Sequence, residues 1–533
     1  MARQYRLARA LGLPAAAVAE RQSEQKSVAA RGLTRRHFLQ KAVWAAALMS
    51  VPRWCRASEP AHARIAIVGA GIAGLNCALT LADRGLRPAI FEASGRVGGR
   101  MFSNNVGYWS GGQVSEWCGE LIDSGHAAIR QLAAQFDLPL DDLLAAQPSG
   151  AEDLYYFKAG RYPRAEAVKD FQPVFEAIQR DFAAAGPSAT CQSSTPAAQA
   201  LDTMSLWHWI RRRVPGGHDS KLGQLLDIAF TVETGADTTE QSALNLIYML
   251  SGSDRQFEIF GSSDERFHIR GGNEQLPQAM ARRLAALGIP VRTAMSLAAI
   301  GRRADGAYRL RFSAGTSTAE VVADLVVLAL PFAVLRKLDY AGAGFDSLKR
   351  RAIEELGRGG NAKLQVQFAR RFWNEPAPWG VGTGSSYADT GYQTTWDTTR
   401  GQPGSTGILS NYTGGPVAGA IHSRAPFARV ASAAVNADSL RFLAQLRPVL
   451  PRSAALWNGK AAMSAPYRSP FLRCSYSFWR VGQYHTLAGY ERMRQQNVFF
   501  AGEHTSVEYQ GYMEGAAREG QRAAREILLQ LGR

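Results

Sequence analysis

Cysteine is scarce in this chain: five residues in 533, none of them in a CxxC pair. That spacing excludes a zinc ribbon and a dense disulfide framework, and nothing in it selects a disulfide pair. Long apolar runs are also missing. No stretch of eighteen or more apolar residues occurs, so no stable membrane span is expected. Internal repeats and long low-complexity tracts are absent too, which excludes solenoids and arrays. The formal charge of +16 is strong, but residues 1–57 carry a net +9 of it. The remaining +7 is spread without a basic block, so a nucleic-acid groove is not expected.

What the chain does have is globular composition, with 10% aromatic and 20% charged residues and a mean hydropathy of −0.18. Its length exceeds one hydrophobic core, so two or three domains are expected. The densest information lies between Arg64 and Arg100. The apolar run Arg64-Ile65-Ala66-Ile67-Val68 reads as a strand, and Gly69, Gly71 and Gly74 follow it at GxGxxG spacing before an alanine- and leucine-rich helix pattern. In such a unit the first glycine permits the turn, the second admits a pyrophosphate to the backbone, and the third lets helix and strand pack. A second strand pattern ends at Glu92, 18 residues after Gly74, where a carboxylate can hold a ribose hydroxyl.

The N-terminal stretch has the layout of an export signal: Thr34-Arg35-Arg36-His37-Phe38-Leu39-Gln40-Lys41, an apolar segment from Ala42 to Val51, then small residues ending at Ala57 or Ala63. TRRHFLQK resembles the twin-arginine signal, which implies recognition by the twin-arginine export machinery. That route carries folded proteins, so a periplasmic or secreted location and a cofactor loaded before export are expected.

Further along, Gly119 to Leu138 reads as a turn and a helix. Apolar residues recur at three and four from Pro163 to Leu250, predicting a largely helical block broken by a loop at Gly186 to Pro196. Strand patterns return at Tyr308–Phe312, Asp324–Leu330 and Lys363–Phe368. Near the C-terminus, Asn497 to Gly502 reads as a buried strand, then a polar loop, Glu503-His504-Thr505-Ser506, and a helix starting near Met513. That helix start is a second place where backbone N–H groups can meet negative charge.

GAGIAGL, EASGRVGGR, RGGNEQLPQAM, LALPFAVL, KLQVQFARRFW and FFAGEHTSVEYQGYMEGA stand in this order from Gly69 to Ala516, and together they resemble the flavin-containing amine oxidase family. The resemblance spans about Arg64 to Leu529. It implies an α/β fold: a Rossmann-type FAD-binding domain built from residues 58–135, 265–335 and 490–533, after a signal at 1–57. An α+β substrate domain with a helical insert is expected from 136–264 and 336–489. It also implies FAD, with Gly69, Gly71 and Gly74 at the pyrophosphate, Glu92 at the ribose, Arg96 near the phosphates, and Gly99 and Arg100 beside the flavin. Glu503 would meet the ribityl or pyrophosphate region, and the Met513 N–H a flavin carbonyl.

For catalysis the resemblance implies Lys363, which would hold a water against the flavin and favour electron transfer to dioxygen, and an aromatic cage of Tyr512 and Tyr476. Core packing is the alternative for Tyr476, with Trp479 as its substitute. The expected reaction oxidises a small amine to an imine, then to a carbonyl compound and ammonia, while dioxygen becomes hydrogen peroxide. L-amino-acid oxidase, a dehydrogenase using a periplasmic electron carrier, and a flavin-loaded binding or sensor protein are the alternatives. Leu121 stands where L-amino-acid oxidases have the arginine for a substrate carboxylate, which weakens the first of these. Asp123 is either a partner for a second positive charge or a plain loop residue. Cys474, 28 residues before Gly502, is either a covalent FAD anchor or a buried structural thiol.

Overall fold

The computed structural model describes residues 63–533 except 254 and 256; the expected export signal, with Cys55, lies outside the described residues. Ile65–Val68, β-branched and fully buried, forms the middle strand of a five-stranded parallel sheet. The strand order is Val498–Phe500, Leu325–Leu328, Ile65–Val68, Ala89–Phe91, Val291–Arg292. Continuous apolar runs such as Leu325–Leu328 suit a parallel sheet, which is covered on both faces. Helix Ile72–Ala82 follows the glycine turn, and the C-terminal helix Met513–Gln530 packs across it. Their approach is close: a Cβ on Gly520 would lie 2.1 Å from the Ala73 carbonyl oxygen, and Asn76 donates to the Ala517 carbonyl at 2.8 Å.

The second large element is a mixed eight-stranded sheet. Its strand Ala362–Phe368 is buried at every position, between Gly407–Thr413 and Trp457–Ser464. Two strands from much earlier in the chain, Glu152–Phe157 and Gly160–Tyr162, complete one edge. Against the aromatic residues Tyr155, Phe157, Tyr162 and Tyr387 of this sheet pack the helices of the 164–250 block. Thr195, Ser205, Ser220 and Ser242 cap four of those helices by accepting a backbone N–H from the first turn. The helical block and its loop therefore fall where the apolar periodicity predicts them. The strands 152–162 and 382–388, at and next to that edge, carried too little alternation to be read as strands.

Candidate functional site

The turn between the first strand and its helix has the geometry the glycines require. Gly69 has φ 104°, and a Cβ there would lie 2.4 Å from the Ala329 carbonyl oxygen; one on Gly74 would lie 1.9 Å from that of Gly69. Gly71 differs, since a Cβ on it meets nothing nearer than the Gly98 carbonyl at 4.0 Å. The helix it begins has no side-chain cap, so its first N–H groups are open to an anion. Glu92 is buried beneath this turn, accepting the Ala70 N–H at 2.9 Å and both the N–H and hydroxyl of Ser94.

The second glycine loop is tied to the first. Gly98 donates to the Ala70 carbonyl at 2.8 Å, and Gly99 lies against Gly71. Arg96 stacks on Phe102, 3.7 Å from its centroid, and donates to the Val97 and Gly99 carbonyls, so it braces its own loop. Arg100 reaches across the molecule to the Ser475 carbonyl at 2.9 Å and the Glu503 carboxylate at 2.8 Å. Burial would raise the Glu503 carboxyl, but the Arg100 charge together with the hydrogen bonds from Arg100 and Ser477 holds the group below its ordinary value. The other Glu503 oxygen accepts the Ser477 hydroxyl and the Gly511 N–H. That bond holds the turn before Met513, where a second helix starts without a side-chain cap.

Lys363 is buried on an interior strand. Its ammonium donates to the Cys118 carbonyl at 2.6 Å and to Glu120 at 2.8 Å. The second Glu120 oxygen accepts the Trp396 indole N–H at 2.8 Å. Trp396 and Tyr412 rings lie 5.3 Å apart, and Tyr412 donates to the Tyr476 hydroxyl, which itself donates to the Val232 carbonyl at 3.0 Å. The Tyr476 ring faces Gly511, next to Tyr512. Burial pushes the phenols of Tyr476 and Tyr512 well above their ordinary value, so both stay neutral. Trp479 is not an alternative to Tyr476: it is buried 5.4 Å from Tyr484 in the core beside the parallel sheet.

Three carboxyls surround Tyr512 electrostatically. Burial pushes Glu233 up to about 8, Glu265 to about 7 and Asp123 to about 6, and their mutual repulsion adds to the first two. Asp123 accepts the Ser263 hydroxyl and the Glu265 N–H. Among the described residues no lysine or arginine forms an ion pair with any of the three. Glu233 also sits in the last turn of helix Lys221–Thr234, where the helix dipole disfavours a negative charge. Glu120, Trp396, Tyr412, Glu233 and Glu265 were not singled out from the sequence. For Glu120 a signal existed, its place in the Glu116–Asp123 segment, but its partner is 243 residues away. Cys474 is buried, its thiol pushed up to about 11 by burial and directed at the Leu472 carbonyl; Cys77, Cys118 and Cys191 are also free thiols.

The model of the family described as flavin containing amine oxidoreductase matches residues 72–528. The chain belongs to this family. It is 23% identical to the flavin-containing amine oxidase of Danio rerio over 88% of this chain and 86% of that one. It is 24% identical to the L-amino-acid oxidase of Mus musculus, over 89% and 71%. Putrescine oxidase of Kocuria rosea is 25% identical over 62% of this chain and 69% of its own length. Among solved structures, wild-type putrescine oxidase bound to putrescine superposes with a TM-score of 0.71 at 21% identity, covering 88% of this chain and 99% of that one. Cyclohexylamine oxidase from Brevibacterium oxydans gives 0.72 at 19% identity, over 89% and 100%. At such identities the structural likeness shows the fold, and the family model shows the class: an FAD-dependent oxidoreductase acting on amines.

The raised Glu233 carboxyl has a testable sign. In the folded, substrate-free protein it keeps its proton to about 8, whereas the unfolded chain releases it near 4.5. Folding is therefore penalised increasingly as pH rises through that interval. Glu233→Gln should stabilise the protein more at pH 8 than at pH 5 in denaturant unfolding. An equal difference at both pH values would mean that Glu233 titrates as in water.

Proposed function

We propose that the protein is an exported FAD-dependent oxidase of amines that carry a second positive charge. FAD would be held by the open N–H groups at Gly71, by Glu92, by the Gly99-Arg100 turn with Glu503, and by the N–H of Met513. When bound, FAD supplies a two-electron acceptor that takes a hydride from the amine carbon and passes the electrons to dioxygen, giving hydrogen peroxide. The imine product hydrolyses to a carbonyl compound and ammonia. The neutral rings of Tyr476 and Tyr512 would orient the amine and disfavour its ammonium form, because a desolvated cation loses its proton more readily. Lys363, buried and pre-positioned, would serve the reaction with dioxygen.

The observation that carries the substrate class is the trio around Tyr512, Asp123 buried and Glu233 and Glu265 half-buried, with no lysine or arginine ion pair among the described residues; Asp123 has the neutral His126 ring at 3.4 Å. Carboxyls desolvated without a cation raise the cost of the empty site, and a second ammonium on the substrate would relieve it. Leu121, in place of an arginine, supports this reading over oxidation of amino acids. The protonated, buried Cys474 thiol supports FAD held without a covalent bond, since the thiolate is the nucleophile.

A panel of diamines, monoamines and amino acids mixed anaerobically with the holoenzyme should bleach FAD fastest with diamines, with peroxide released on admitting air. Glu233→Gln should raise KM for diamines by about tenfold, roughly one lost ion pair, and leave monoamines nearly unchanged. Equal rates for monoamines and diamines would refute the second-charge reading. Acid precipitation of the same sample should leave the yellow colour in the supernatant. Colour retained in the pellet would instead mean a covalent link. The export reading rests on Arg35 and Arg36. Lysine at both positions should retain the protein in the cytoplasm on cell fractionation, and unchanged export would exclude the twin-arginine route.

A further inference from the structure

Lys363 is held by more than its strand. Its side chain is 8% exposed and that of Glu120 5%, so their 2.8 Å ion pair is removed from water. Burying two charges is costly unless the remaining donors and acceptors are satisfied. Here they are: the ammonium also donates to the Cys118 carbonyl, and the second Glu120 oxygen accepts from Trp396. Two of the three ammonium N–H bonds are thereby directed; the third makes no hydrogen bond to the protein among the described residues, and the ammonium stands 5.4 Å from the centroid of the Trp396 ring.

The segment that carries Glu120 is itself clamped. Asn273 donates to the Gly119 and Glu120 carbonyls at 3.0 and 2.7 Å. The Asn273 N–H and the His268 ring both reach Glu116, at 2.8 Å each. Gly119 between them touches both halves of the cofactor site: its N–H donates to the Arg100 carbonyl at 2.8 Å, and a Cβ on it would lie 2.9 Å from the Met513 sulfur. The ion pair therefore stands beside the junction of the two glycine-rich cofactor segments.

We infer that Glu120 is a positioning residue for the reaction with dioxygen: its carboxylate aims the Lys363 ammonium and retains its proton. This rests on the reading that Lys363 serves that reaction. The carboxylate is suited to the task because it is ionised: burial alone would raise it, but the Lys363 charge together with the hydrogen bonds from Lys363 and Trp396 holds it below its ordinary value. The other titratable groups facing the pair are His268, which favours the anion, Cys118 on the same segment, Tyr412 from the neighbouring strand, and Glu265. Of these, only Glu120 forms an ion pair with the ammonium among the described residues.

The test uses holoenzyme reduced anaerobically with dithionite, so that no amine substrate is needed, then mixed with dioxygen from about pH 6 to about pH 9, a range in which a buried lysine without an anion titrates. Wild type should reoxidise at a nearly constant rate. Glu120→Gln, which keeps the size and the acceptor for Trp396, should match it at low pH and lose about tenfold per unit above the new titration point. Glu120→Asp, which keeps the charge, should restore the flat profile. Lys363→Met should be slow at every pH, and the double variant Glu120→Gln/Lys363→Met no slower than Lys363→Met alone, because the two residues act as a unit. The midpoint potential of bound FAD falls with pH in every variant, because reduction takes up a proton, and an additional slope should appear over the same range in Glu120→Gln but not in Lys363→Met.

A Glu120→Gln enzyme with the wild-type pH profile, or a double variant showing the product of the single losses, would overturn the role of Glu120. Wild-type reoxidation by Lys363→Met would overturn the premise as well. Failure of every amine to reduce FAD would count against the proposed substrate alone, since this test is read without one.

Discussion

The ion pair between Arg100 and Glu503 is the contact on which the site depends. It joins groups 403 residues apart in sequence, and each partner fixes a further backbone segment. Arg100 holds the Ser475 carbonyl, one residue before Tyr476, and Glu503 holds Gly511, one residue before Tyr512. The two tyrosines thus take their places from one buried charge pair. Removing either partner would leave the other buried and unpaired, a change that typically costs about 3–5 kcal/mol. Because Arg100 belongs to the loop bonded to the first glycine turn, the same pair also ties that turn to the start of helix Met513–Gln530, and both helix starts lack side-chain caps.

The carboxyl groups around the site differ in their partners. Glu120 and Glu503 each face a cation and are held ionised despite burial. Glu233, Glu265 and Asp123 face one another and are pushed toward the neutral form. One group fixes positive charge already in the protein, at Lys363 and Arg100. The other has no lysine or arginine ion pair among the described residues. Trp396, Tyr412 and Tyr476 run from Glu120 to the helix end that carries Glu233, so neutral rings link the two groups.

Much of this was legible in the chain. The glycine turn and the carboxylate at Glu92 follow from local rules, because a strand, a φ-positive glycine and a helix start are neighbours in sequence. The buried run Leu325–Leu328 and the helical block were legible for the same reason, through periodicity. Less legible were residues whose meaning depends on a distant partner. Trp396 reads as an ordinary aromatic until it meets Glu120, 276 residues away. Glu233 reads as an exposed helical residue until the helix end is packed against Tyr476. Trp479 shows the opposite case: near Tyr476 in sequence, it points into a different core.

Periodicity and motif spacing determined the strand, glycine turn and helix of a dinucleotide-binding unit with Glu92 beside it, since these are set by backbone geometry within a few residues, and the order of the separated motifs gave the class of fold. Tertiary structure decided which charges are paired. Burial and long-range contact settle that question, and neither is encoded locally. That pairing separates an arginine that braces its loop, Arg96, from one that links the chain ends, Arg100. It also turns Lys363, one lysine in a strand pattern, into an ammonium held by Glu120 where the two cofactor segments meet.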